Sequence, residues 1–238
     1  MKTKIISWIK QKVKNSGAKG IVLGLSGGID SAVVAALAKA AVGKHNLLVL
    51  FMPCNSQSQD LKDAELVAHE LGLKSKLVDL SAVYNNFLKV LPGAISLARG
   101  NLKPRLRMST LYYFANKLNY LVCGTGNKSE LMVGYFTKHG DGGVDILPIA
   151  DLFKRQVRQL ARELKIPQGI ITKAPTAGLW FGQTDEVEMG ITYDELDDIL
   201  DRFCNHKKQV ASTKSVDKVT RMYKKSEHKR TGAEICHI

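Results

Sequence analysis

Residues 24–31 read Gly-Leu-Ser-Gly-Gly-Ile-Asp-Ser, between the apolar run 20–25 (GIVLGL) and the alanine-rich stretch 29–42 (IDSAVVAALAKAAV). The run is too short for a helix, and the stretch is apolar nearly all round. The chain must therefore pass from a buried strand to a buried helix through a loop with almost no side chain. Such a passage leaves backbone N–H groups free at a helix N-terminus, where the helix dipole is positive, and makes an anion site. Gly27 and Gly28 admit phosphate oxygens close to the backbone, and Ser26 and Ser31 can add hydroxyl donors. Asp30 would repel a phosphate unless a cation lay between them, which makes it a candidate magnesium ligand. No lysine occurs between Gly24 and Ser31, so this is not a Walker A loop, and the dinucleotide spacing G-x-G-x-x-G is not met either.

Further runs of strand length occur at 47–52, 75–80 and 120–125, and helical patterns at 29–42, 58–71 and 104–118 lie between them. Continuous apolar runs, without alternation, suit parallel strands buried on both faces. The expectation is an α/β fold: a doubly wound, mostly parallel sheet flanked by helices. Residues 1–15 should form an amphipathic helix with Ile5, Trp8, Ile9 and Val13 on one side. After residue 125 come a glycine-bearing stretch (134–148), a helix at 151–164 capped by Asp151, a long loop (165–190) and helices near 193–203 and 212–225. Loops of such length are usually functional. With no repeat or linker, residues 1–238 read as a single domain.

Composition narrows the class. Lys and Arg number 35 against 22 acids, a net charge of +13, which raises the thought of a nucleic-acid partner. No RNA-binding aromatic motif, zinc finger or long basic block accompanies it, and the last forty residues carry ten of the bases against four acids. No nucleic acid is expected. Cys54, Cys123, Cys204 and Cys236 form no C-x-x-C pair, so a reduced, cytoplasmic protein without structural zinc is the plain reading. No apolar run reaches the length of a membrane span, and the N-terminus lacks the features of an export signal.

The stretch SGGIDS (26–31) resembles the loop of the N-type ATP pyrophosphatases, which split ATP into AMP and pyrophosphate while activating a substrate oxygen. KPRLRM (103–108), GTGNKSELMVGYFTKHGDGGVDILPI (124–149), LFKRQVRQLA (152–161), KAPTAGL (173–179), GQTDEVEMGITYDELDDIL (182–200) and EHKR (227–230) are similar, in order and spacing, to stretches of the ammonia-dependent NAD synthetases. The resemblance covers essentially the whole chain. It implies a Rossmann-like, adenine nucleotide alpha-hydrolase-like fold without a glutaminase domain, and a homodimer. The implied reaction is amidation of deamido-NAD by ammonia, with ATP as co-substrate and an adenylated intermediate, giving NAD, AMP and pyrophosphate.

Carried over by position, Gly24, Leu25, Ser26, Gly27, Gly28, Ile29, Asp30 and Ser31 would grip ATP, with Thr125, Lys154 and Thr176. Asp30 and Glu130 would hold magnesium. Arg105, Lys138, Asp145, His228 and Lys229 would contact deamido-NAD, and Asp141 would stand near the attacking ammonia. On the residues alone, Lys154 reads as a surface lysine, and Arg105 and Arg107 as solvent-facing; the resemblance favours Arg105. His228 and Lys229 read as part of a basic tail, and the glycines of 134–145 suggest a mobile flap. Many bacterial members carry an acid and a histidine between the aligned Thr125 and Glu130, where this chain has Asn127 and Lys128. Two alternatives stand beside this reading: a tRNA-modifying ATP pyrophosphatase, and a non-catalytic nucleotide-binding module.

Overall fold

A computed structural model of the chain describes residues 1–204 and 212–236. Its sheet has four parallel strands, β1 (Gly20–Gly24), β2 (Leu47–Phe51), β3 (Ser75–Leu77) and β4 (Tyr120–Val122), in the order β3-β2-β1-β4. Ile21 lies opposite Leu47 on one side and Leu121 on the other. The chain steps outward from β1 to β3, then crosses back to lay β4 on the far side of β1. This reversal opens a crevice at the carboxyl ends of β1 and β4, the place where doubly wound sheets bind ligands.

Successive side chains of β1 enter different cores. Ile21 and Leu23 pack with the helices α1 (Lys2–Ser16), α2 (Ile29–Val42) and α7 (Lys154–Glu163). Val22 packs with Leu50, Leu111 and Val122 beneath α4 (Ser81–Val90) and α5 (Ser96–Leu118). Burial on both faces is why these strands are continuous apolar runs. Val33, Val34, Ala35, Leu37 and Ala38 of α2 are all fully buried, so the all-round apolar pattern does mark a helix enclosed between layers. Ile9 and Val13 of α1 are buried as expected, whereas Trp8 is exposed.

Other boundaries differ from the sequence pattern. α5 begins eight residues before Pro104 and carries that proline inside the helix; a proline suits a first turn, which is why the pattern suggested a start at 104. α4 was not anticipated. α7 begins at Lys154, not 151, and Asp151 bonds Lys128 at 3.0 Å instead of capping the helix. The stretch 165–190 contains α8 (Gln168–Thr172) and α9 (Asp185–Met189). α3 (Ser58–Glu70) links β2 to β3.

A third core joins α6 (Lys128–Val133), α10 (Tyr193–Cys204) and α11 (Lys214–Lys225) through Val133, Tyr193, Leu196, Leu200 and Val219. Gly134, which ends α6, has φ +69° and lies where a Cβ would collide with Ser226. That approach ties the last helix, α12 (Glu227–Arg230), to the crevice. All four cysteines are free. Among the described residues no helix is long and apolar enough to cross a membrane.

Candidate active site

The loop between β1 and α2 is held open by its own serines. Ser31 Oγ donates to Gly28 O at 2.9 Å and accepts from Ser26 N at 3.2 Å, and Ser26 Oγ accepts from Gly28 N at 3.3 Å. The first helical bond of α2 runs from Ala32 N to Gly28 O. The amides of Ile29, Asp30 and Ser31 therefore meet no acceptor among the described residues and remain available to an anion. Ser31 serves chiefly as a brace for the loop.

Opposite lies the turn after β4. Asn127 opens α6 with a capping box: its side chain accepts from Glu130 N at 3.0 Å, and Glu130 Oε2 accepts from Asn127 N at 3.2 Å. Asn127 Nδ2 also donates to Asp30 Oδ1 at 3.0 Å. Asn127 thus spans the crevice with a hydrogen bond.

Lys154 completes the centre. Its ammonium meets Asp30 Oδ2 at 2.5 Å and Glu130 Oε1 at 3.1 Å, and its side chain is only 2% exposed. The surface-lysine reading was wrong for a non-local reason. Ser129 Oγ accepts from Lys154 N at 3.0 Å, Asp197 Oδ2 accepts from Arg155 N at 2.9 Å, and Ser129 in turn donates to Asp197. Those contacts satisfy the first amides of α7 and turn its N-terminus inward. Asp197, fully buried on α10, and Ser129 were not singled out in the sequence. The one hint was an acid four residues after Tyr193, on the apolar face of its helix.

The surroundings are acidic. Tyr193 donates to Asp185 Oδ2 at 2.9 Å and to Glu130 Oε1 at 3.2 Å. Tyr135 donates to Glu188 at 2.8 Å and Asp185 at 3.1 Å. Burial disfavours the Lys154 ammonium, yet Asp30 and Glu130 hold it above the usual lysine range. Burial pushes the Glu130 carboxyl up to about 7 despite the pull of Lys154, because one ammonium serves two carboxylates with Asp185 close behind.

A sign follows for stability. Folding gains from Glu130 in full below its ordinary value of 4.5 and loses that gain as pH rises through about 7. Glu130→Gln should flatten the pH dependence of unfolding between these values. Thermal melts of both proteins from pH 4 to pH 8 check this.

A cavity of about 540 Å³ covers this centre, lined by Gly24, Leu25, Ser26, Gly28, Ile29, Asp30, Ser31, Thr125, Glu130, Asp141, Lys154, Thr176 and Lys229. Gly27 lies behind the loop against α3 and is not in the lining. Thr176 is held by Gln183 O at 2.7 Å. Asp141 stands at the wall, where its Oδ1 accepts from Thr137 N at 2.9 Å and burial by surrounding protein raises its carboxyl.

Besides Gly27, four of the expected residues fall outside the lining: Arg105, Lys138, Asp145 and His228. Arg105 reaches Lys138 O at 3.3 Å, and Lys138 Nζ donates to His228 O, so Arg105, Lys138 and His228 form a basic group beside the cavity. Asp145 accepts from Val122 N at 2.7 Å and from Tyr112 at 2.9 Å. Lys229 holds Gly134 O and Phe136 O at 2.7 and 2.8 Å. The segment 134–145, expected as a flap, is a compact set of turns tied down by Lys229 and Asp141.

The centre suits a divalent cation as one partner among several. Asp30 and Glu130 already converge on one positive charge, and their oxygens are the hard donors magnesium prefers. Among the described residues no group of three or more acidic, histidine or cysteine side chains is arranged to hold a metal. The remaining ligands would therefore come from phosphate oxygens and water, the usual arrangement for magnesium on nucleotides.

Comparisons with known proteins agree with this geometry. A family model described as NAD synthase matches residues 1–233. The NH(3)-dependent NAD(+) synthetase of Carboxydothermus hydrogenoformans is 48% identical, the match covering 98% of this chain and 95% of that protein. The structure of NMN synthetase from Francisella tularensis has a TM-score of 0.92 at 40% identity, covering 100% of this chain and 97% of its own. That of the NH3-dependent NAD synthetase from Campylobacter jejuni, solved with a nitrate ion, has a TM-score of 0.86 at 32% identity, covering 99% and 97%. A family match over nearly the whole chain, with relatives of this identity and coverage, places the chain in the NAD synthase family.

Proposed function

We infer that the protein is an ammonia-dependent ligase that amidates deamido-NAD at the expense of ATP, giving NAD, AMP and pyrophosphate. The observation that carries this is the braced loop at the end of β1, facing Asp30 and Glu130 joined by one buried lysine. A carboxylate does not react with ammonia, so the nicotinate must first gain a leaving group. In the first step a carboxylate oxygen attacks the α-phosphorus of ATP, the bond to the bridging oxygen breaks, and pyrophosphate departs. The loop amides and Lys154 hold the charge on the leaving group, and each preorganised donor of this kind is typically worth about a hundred- to a thousandfold in rate. Magnesium held by Asp30 and Glu130 would add neutralisation of the phosphate charge. Ammonia then attacks the acyl adenylate, giving the amide and AMP. Asp141 would stand beside the attacked carbonyl and accept a proton from the incoming ammonia, and the turns of 134–145 would exclude water.

Thr125 and Thr176 would contact ATP from the cavity wall. Arg105, Lys138, Asp145, His228 and Lys229 would take deamido-NAD, a substrate long enough to run from the cavity onto the basic group beside it. Lys138→Ala should therefore raise KM for deamido-NAD by about tenfold, the loss of roughly one charge-assisted bond, and leave KM for ATP nearly unchanged. Steady-state titration of each substrate checks this. The likeness to an NMN synthetase supports a second reading, in which a nicotinate mononucleotide is amidated. Assays of both nucleotides with ATP, magnesium and ammonium, and with glutamine in place of ammonium, decide between them. Ammonium should support turnover and glutamine should not, as the names of the NH(3)-dependent relatives imply.

The alternatives fare less well. A thiolating enzyme usually carries paired cysteines; burial pushes Cys54 and Cys123 up from their ordinary values, and the exposed Cys204 and Cys236 stand in no C-x-x-C pair. A non-catalytic module has no need of the paired carboxylates. A homodimer belongs to the proposal. Val83, Phe87, Val90 and Leu91 make an exposed apolar stripe along α4 that supports a protein contact, whereas Ile9 and Leu111 are core. Four free cysteines fit a reducing cytoplasm.

A further inference from the structure

We propose that Arg107 receives the α-phosphoryl oxygens of ATP and of the acyl adenylate; this rests on the adenylation reading above. Among the described residues four cations line the cavity: Arg107, Lys154, Lys173 and Lys229. Three are already engaged. Lys154 is matched by Asp30 and Glu130, Lys173 is matched by Asp60 at 2.8 Å and Asp63 at 2.5 Å, and Lys229 holds two backbone carbonyls. Arg107 has no carboxylate within ion-pair distance. Its Nε donates to Met52 O at 3.0 Å and its Nη2 to Ser56 Oγ at 3.2 Å. A guanidinium carries more donors than these two neutral acceptors use, so the group is clamped in place with donors to spare.

Its location suits the α-phosphorus. Met52 follows β2, the strand beside β1, and its Cε would lie 3.0 Å from a Cβ on Gly24, at the root of the phosphate loop. Burial lowers the Arg107 guanidinium from its ordinary value, while Cys54, Asp141 and Asp60 act in the other direction. The two acids belong to different elements of the lining, Asp60 to α3 and Asp141 to the segment 134–145, and Arg107 lines the same cavity. One helical turn away, Lys103 is buried over the Tyr84 ring at 5.5 Å and is also without an ion pair among the described residues. Two like charges four residues apart disfavour each other on a helix, and a bound phosphoryl group relieves that. The need is plain: Lys154 is outnumbered by carboxylates, so charge growing on the α-phosphoryl oxygens requires another cation. After pyrophosphate leaves, the adenylate keeps one negative charge, which Arg107 continues to hold.

The test is deamido-NAD-dependent exchange of labelled pyrophosphate into ATP without ammonia, which reads adenylation alone. Arg107→Ala should cut exchange by at least about a hundredfold while Tm stays near wild type and ATP binding, measured by calorimetry, weakens less than about tenfold. Added guanidinium at millimolar concentration should restore part of the loss, which it would not do for a general packing defect. Arg107→Lys keeps the charge without the fork and should fall between the two. Exchange within about threefold of wild type in a folded Arg107→Ala would overturn the proposal, as would a loss that guanidinium leaves unchanged. If Arg107→Ala does not fold, Arg107→Lys decides: folded protein with exchange reduced about tenfold or more supports the assignment, and wild-type exchange overturns it. A wild-type protein without exchange would instead sink the adenylation reading and this proposal with it.

Discussion

Asp30→Asn lowers the rate of NAD formation by at least about a hundredfold, with Tm within a few degrees of wild type. Asp30 sits in the first turn of α2, where its carboxylate takes Lys154 at 2.5 Å and Asn127 at 3.0 Å. Asparagine keeps the shape and one acceptor, so packing survives. It removes the charge, and Lys154 is left with Glu130 alone. Without that second carboxylate the phosphate-facing cation cannot be held between the two walls of the crevice, and the magnesium concentration for half-maximal rate should rise. Steady-state rates across a magnesium titration, with thermal melts as the control for folding, read both effects. Activity within about threefold of wild type would remove Asp30 from the machinery.

Gly27→Ala has the second large effect, and it arises from backbone geometry. Gly27 has φ +79°, and a Cβ there would stand 2.6 Å from Asp60 O. Asp60 cannot easily retreat, because Lys173 holds it and Asp63 together. The added methyl must therefore push the loop, at a cost of about 1–3 kcal/mol in strain, and move the amides proposed to hold the phosphates. ATP-dependent turnover should drop about a hundredfold or more, since a misplacement near 1 Å has that consequence. Gly24→Ala is the matched control: its Cβ would meet only the flexible end of Met52 at 3.0 Å, and turnover should stay within about tenfold. Equal activities for the two variants would mean that the loop does not work by fixed geometry.

The parts of this site that were legible in the sequence are the local ones. Two adjacent glycines between an apolar strand and an apolar helix describe the loop after β1 without reference to anything distant. The strand–helix alternation likewise announces the parallel sheet, since burial on both faces writes itself into continuous runs. Lys154 was misread because Asp197 on α10, which accepts from the amide of the next residue, Arg155, lies 42 residues beyond Arg155 in the chain. Arg105 and Arg107 could not be separated by spacing on a helix. Only the packing of α5 against the loop after β2 places one in the cavity and the other beside it. Asn127 stood out as a departure, but its bond to Asp30 depends on strand order, which local pattern does not encode. The glycines of 134–145 suggested a flap, but spacing alone did not show that Thr137, Asp141 and Lys229 bond its turns.

The central claim is that the amides after β1 hold the pyrophosphate that ATP sheds when its α-phosphorus is attacked. Phosphorus NMR of one incubation, containing the protein, deamido-NAD, ATP, magnesium and ammonium, tests it most directly. AMP and pyrophosphate appearing in equal amounts with NAD is the expected result. ADP and inorganic phosphate in their place would mean that the γ-phosphorus is attacked, and would contradict the account.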